Sequence, residues 1–162
     1  RFAALGVVGI TIAVLDTHSG SASVVAAVTH AIGAIAENNQ ILSTKFESSG
    51  AIELIVTALG SHYDKSESVA KGVCYAIWTL AADSPKNKIK IGEAGGCRNI
   101  VQALKMYYKN SEVARHACLA IHHLAEGNES NSGFIGKAGA CELVLTVMEM
   151  FCTLPEVEEA AS

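Results

Sequence analysis

The stretch EVARHACLAIHHLAEGN, residues 112 to 128, sets His116, Cys118, His122 and His123 within about two helical turns. Imidazole and thiol donors so close together suggest either a zinc site or a cysteine nucleophile activated by a base. Cys118 and His122 stand four residues apart, a spacing that puts both on one helix face. A structural zinc site nevertheless needs three or four ligands at a deliberate spacing, such as CxxC with HxxxH, and the chain contains no CxxC. No GxSxG elbow, glycine-rich phosphate loop after a strand or facing pair of carboxylates can be assembled. These residues therefore read as belonging to a non-enzymatic protein without catalytic residues, metal or cofactor.

The elements that carry them recur along the chain. SVVAAVTHAIGAIAE from Ser23, SVAKGVCYAIWTLAA from Ser68 and EVARHACLAIHHLAE from Glu112 align, with Val24, Val69, Val113 and Val157 spaced by 45, 44 and 44 residues. A second block, SSGAIELIVTAL, EAGGCRNIVQAL and KAGACELVLTVM, repeats with the same period and places Gly50, Gly95 and Gly139 in register. Two separate blocks sharing one period are the signature of a repeat architecture. In this register Cys118 is equivalent to Cys74 and Cys141 to Cys97, which makes all four small core fillers. His116, His122 and His123 stand where the preceding repeat has Gly72, Trp78 and Thr79, a variability that reads as exposure.

Each period reads as three helices. A short first segment such as NKIKIGEA ends at a small residue and a glycine, where left-handed backbone closes a helix. A second helix follows, with Ile100, Val101, Leu104 and Tyr108 at the 3.6-residue spacing of one buried face. A polar turn leads to a third helix whose alanines allow close approach of its neighbours. No stretch alternates with period two for long, so no strands are expected.

Composition agrees with an ordered fold: half of the residues are hydrophobic, 17% are charged, and the net charge is -4. That mild charge announces neither nucleic acid nor an acidic membrane surface. The apolar opening RFAALGVVGITIAVL stops at Asp16, short of the ~20 residues that span a bilayer, so no direct membrane insertion is expected. Five cysteines without a dense framework suit reduced thiols in a cytoplasmic, nuclear or cytoskeleton-associated protein.

The short helix, the Gly-Ala or Gly-Gly-Cys junction, the I/L-V-x-x-L second helix and the V-A-x-x-A-x-x-A-I-x-x-L-A third helix together resemble the armadillo repeat. The resemblance implies an all-α fold, a right-handed alpha-alpha superhelix of about three to four three-helix repeats. Residues 1 to 37 would form a partial unit, 38 to 82 and 83 to 126 complete units, and 127 to 162 a further partial one, all within one solenoid segment. Such units bury their apolar faces only by stacking, so further repeats or another chain are expected over both ends.

In the armadillo family the third helices line the concave surface, and protein ligands lie along it. Carried onto this sequence, the resemblance places Lys71, Tyr75, Trp78, Thr79, Arg115, Leu119, His122 and His123 on a partner-binding face, with Ala26, His30 and Ala34 in the preceding unit. The Trp and Asn positions of importin-alpha-like members hold Tyr75 and Leu119, and Thr79 and His123, so a nuclear-signal clamp is not expected. Lys71 and Arg115 instead resemble the basic row of beta-catenin-like members and suit a partner with an acidic segment. Protonation of His30, His62, His116, His122 and His123 below about pH 6.5 would add charge there. The competing reading is a structural component of a cytoskeletal or axonemal array. It would bind through its edges and the basic stretch of Lys86, Lys88, Lys90, Arg98, Lys105 and Lys109, expected on the convex face. No small-molecule substrate is expected in either case.

Overall fold

The computed structural model describes residues 2 to 152. Ten helices and no strands make up these residues: α1 (Phe2–Thr17), α2 (Ala22–Ala36), α3 (Gln40–Ser48), α4 (Ala51–His62), α5 (Glu67–Ala81), α6 (Pro85–Glu93), α7 (Gly96–Tyr107), α8 (Ser111–Ala125), α9 (Glu129–Lys137) and α10 (Ala140–Cys152). Short helices of nine residues, α3, α6 and α9, recur before each longer pair. The expected helix around Val157 lies outside the described residues.

Local chemistry starts and stops each helix at equivalent places. Asn39, Ser84 and Asn128 cap the short helices, each side chain accepting a hydrogen bond from the backbone N–H three residues on. Ser66 and Asn110 do the same for α5 and α8. Gly50, Gly95 and Gly139 take φ of 75°, 84° and 82°, the left-handed conformation needed to turn the chain from a short helix into the next long one. The period seen in the sequence is therefore a period of caps and turns.

Packing is along the row of third helices, with α2 against α5 and α5 against α8, while α4 and α7 close the opposite side. The continuous core takes one set of equivalent side chains from each unit: Phe46, Ile91 and Ile135 from the short helices, Ile55 and Ile100 from the second, and Leu80 and Leu124 from the third. Neighbouring units are also stitched by buried amides. Asn87 donates to the Leu80 carbonyl at 2.7 Å and to Ser43 Oγ at 3.4 Å. Asn131, its equivalent, donates to the carbonyls of Lys88 at 2.8 Å and Leu124 at 3.1 Å. The bonds to Leu80 and Leu124 supply donors to carbonyls at the ends of α5 and α8, where a buried carbonyl left without a partner costs about 1–3 kcal/mol.

A second stitch is ionic. Glu47 on α3 is 5% exposed, and its carboxylate receives Lys90 at 2.7 Å and Lys86 at 2.9 Å from the next short helix. The hydrogen bonds from Lys90 and then Lys86 hold its carboxyl below the ordinary range. A carboxyl whose folded-state pKa is depressed contributes stability that is complete above its unfolded pKa and is lost as pH falls through the folded one. Glu47→Gln is therefore expected to lower the melting temperature at neutral pH. In thermal melts across pH, the gap from wild type closes as the acid limb passes below the ordinary carboxylate range.

Two expectations are corrected by burial. Cys74 and Cys97 are buried, but Cys118 is half-buried and Cys141, at the repeat position of Cys97, is exposed. The basic stretch is largely committed internally. Lys86 and Lys90 neutralise Glu47, and Lys88, 8% exposed, binds Glu126. Arg98, Lys105 and Lys109 remain on the surface.

Candidate protein-binding face

The third helices α2, α5 and α8 lie side by side, and their spacing follows from what stands at one repeat position. In α5 that position is Gly72: a Cβ there would lie 2.6 Å from Thr29 Oγ1 and 2.8 Å from the Ala26 carbonyl oxygen, so α5 rests directly on α2. In α8 it is His116, whose imidazole fills the space between α8 and α5. A second glycine, Gly33, lets the Tyr75 ring lie across α2, 2.7 Å from where a Cβ would be.

The result is a continuous row of π-systems across three helices. The ring centroids of His30 and Tyr75 are 5.1 Å apart, and Tyr75 stacks on His116 at 4.9 Å. Trp78 packs against both Tyr75, at 5.5 Å, and His116, at 5.8 Å. The Arg115 guanidinium ends the row, 5.5 Å from the centre of the Trp78 ring. Offset and tilted arrangements at these separations are favourable for aromatic quadrupoles.

Charge on this face is mixed. Lys71 is in an ion pair with Glu112, whose carboxyl is held below its ordinary range by the Lys71 hydrogen bond. Arg115 has no carboxylate within ion-pair distance among the described residues. The Tyr75 hydroxyl donates to Glu37, and burial together with that carboxylate pushes its pKa up to about 12. Beside Trp78 lies a hollow of about 160 Å³ bounded by Glu37, Asn39, Gln40 and Asp83.

Of the residues expected on a partner-binding face, the structure gathers His30, Lys71, Tyr75, Trp78 and Arg115 and adds His116. Thr79 is 8% exposed, its hydroxyl turned back onto the carbonyls of Ala76 and Tyr75 at 3.0 and 3.2 Å. Tyr75 is equally covered. Leu119 is half-buried, and His122 and His123 gather separately with Glu126 at the end of α8. His116, read as exposed from its variability, is buried. His62 is off this face, bonded to the Ser19 carbonyl at 2.7 Å.

Titration of the face also differs from expectation. Burial, followed by the Arg115 charge, lowers the His116 pKa; burial and then His122 lower that of His123. These two imidazoles therefore charge at a lower pH than an ordinary histidine. The thiols of Cys74, Cys97 and Cys118 are held from reacting by their environment, burial raising Cys74 to about 12, Cys97 to about 11 and Cys118 above its ordinary value. Among the described residues, no third donor side chain joins Cys118 and His122, the pairing weighed from the sequence. No described helix is long and apolar enough to cross a membrane.

No protein-family model matches the chain, and no curated protein does. Among solved structures it is similar to the designed armadillo repeat protein YIII(Dq)4CqI, with a TM-score of 0.69 and 28% identity over 90% of this chain. It is similar also to the designed armadillo repeat protein YIII(Dq.V1)4CPAF in complex with peptide (KR)4, with a TM-score of 0.66 and 27% identity over 91% of this chain. Each match covers 57% of the designed chain, so this chain spans a little over half their length.

Proposed function

From the armadillo repeat fold of this chain, we propose that it is a non-enzymatic interaction scaffold that binds a protein segment in extended form across α2, α5 and α8. One observation carries the reading: the row from His30 through Tyr75, His116 and Trp78 to Arg115 runs unbroken over three successive helices. A row transverse to the helices meets a ligand chain lying across them; with Tyr75 and His116 buried, His30 on α2, Trp78 on α5 and Arg115 on α8 offer the contacts, each to a different ligand residue. One of the designed proteins of the same fold holds a peptide.

The charges suggest how the ligand is oriented. With Lys71 neutralised by Glu112, Arg115 is the cation left for an acidic side chain, while Trp78 supplies apolar area beside it. The hollow bounded by Glu37 and Asp83 suits a basic or hydrogen-bonding residue further along. The ligand is thus a segment with an acidic residue at the α8 end and a donor toward α3. Four free cysteines among the described residues support a reducing compartment such as the cytoplasm.

Trp78 is the only tryptophan, so its fluorescence reports from within the face. Titration with an array of extended peptides of graded charge is expected to find acidic-ended sequences that shift this emission. Arg115→Glu should weaken them by roughly tenfold to hundredfold, the worth of a hydrogen bond to a charged group. Lys105→Glu with Lys109→Glu should leave binding unchanged. Binding indifferent to Arg115→Glu, or lost with the Lys105 and Lys109 changes alone, refutes this face as the site.

A further inference from the structure

The end of α8 carries a cluster that the row does not use. His122, His123 and Glu126 each offer one ligand atom, and these atoms lie within 4.8 Å of one another. The two imidazoles meet edge to face at 4.9 Å. His123 Nδ1 is buried without a hydrogen-bond partner and lies 3.8 Å from Glu126 Oε2, beyond hydrogen-bond distance. In the tautomer protonated at Nε2, His123 Nδ1 is a lone pair without a donor beside a carboxylate that is itself only an acceptor, an arrangement that a bound cation satisfies.

We propose that His122, His123 and Glu126 form a binding site for a zinc-class divalent metal ion. Two imidazoles and one carboxylate match the borderline-soft preference of zinc, cobalt, nickel and copper, whereas magnesium and calcium take oxygen ligands. Zinc–nitrogen bonds of about 2.0–2.1 Å draw the three donors closer than they stand, a movement open to the exposed side chains of His122 and Glu126. Lys88 Nζ competes for Glu126 Oε2 at 3.2 Å but also holds the Glu126 carbonyl oxygen at 3.1 Å. It retains the second bond when the carboxylate turns to the metal. Three protein ligands leave at least one coordination position open to water or to a side chain of another protein.

Titration of the metal-free chain with zinc chloride by calorimetry, and with cobalt chloride by visible absorption, tests the site. One equivalent of each metal is expected to bind. The cobalt spectrum should show no thiolate charge-transfer band, which separates this site from the cysteines. His123→Ala and Glu126→Gln should each weaken zinc by at least about tenfold, since loss of even an outer-shell partner costs about 10–100-fold. His122→Ala, at an exposed position where refolding is not at issue, should do the same. Absence of saturable binding, a thiolate band, or affinity unchanged in all three variants overturns the assignment.

Discussion

Gly72→Val is expected to destabilise the chain by about 2 kcal/mol and to divide its unfolding into two transitions. The atoms that a Cβ would meet are Thr29 Oγ1 at 2.6 Å and the Ala26 carbonyl oxygen at 2.8 Å. Neither yields easily. Thr29 is fully buried and its hydroxyl is bonded to the Val25 carbonyl at 2.7 Å, while Ala26 O is backbone within α2. Relief therefore requires α2 to move off α5, and that helix pair joins the first unit to the rest of the stack. In a linear repeat protein each unit is held by its neighbours, so a weakened junction lets residues 2–36 melt before the remainder. Urea unfolding followed by circular dichroism, with hydrogen exchange to locate the early phase, is the measurement. Gly133→Ala is the control: no atom lies within 4 Å of its Cβ position in α9, and the better helix propensity of alanine should stabilise by about 0.5–1 kcal/mol. A single transition of wild-type midpoint for Gly72→Val would show that α2 and α5 are not tightly coupled.

The same glycine shows why the repeat was legible in the sequence and part of the face was not. Periodicity recovers anything that every unit must satisfy: the left-handed turns at Gly50, Gly95 and Gly139, the alanines between third helices, and the aliphatic set ending at Leu80 and Leu124. It misleads where successive units solve one problem differently. The Gly72 and His116 position is buried in both units, and the change of residue marks a change in helix separation, not exposure. Thr79 failed as an exposed site for a related reason: its hydroxyl can satisfy itself on the preceding turn and so tolerates burial. The Asn87 and Asn131 stitches were visible as a 44-residue recurrence of a polar residue, but a lone asparagine in a short helix carries no mark of the carbonyl it will meet. The gathering of His122, His123 and Glu126, by contrast, depends on side-chain directions at the end of α8 that spacing alone does not fix.

Phe46 illustrates how a repeat position can be equivalent in place and unequal in weight, and its removal carries the largest expected loss. Phe46, Ile91 and Ile135 are the buried large apolar side chains of α3, α6 and α9; Phe46 is fully buried, and Leu42 of α3 also packs against the core. Phe46→Ala should cost about 3–5 kcal/mol, the transfer free energy of the ring plus the cavity left behind. Phe46→Ile places the residue that the two later units use into the same socket, and should cost less than half as much because most of the volume is refilled. The size of that difference measures how far the socket is shaped for a ring. The loss should also reach the ionic stitch, since Glu47 is the next residue and α3 holds its carboxylate between Lys86 and Lys90. In a double-mutant cycle, Glu47→Gln is therefore expected to cost less in the Phe46→Ala background than in wild type, with the coupling measured by denaturant midpoints. Strict additivity would mean that Glu47 keeps its place without the anchor beside it, and that α3 is held by its charge as firmly as by its core.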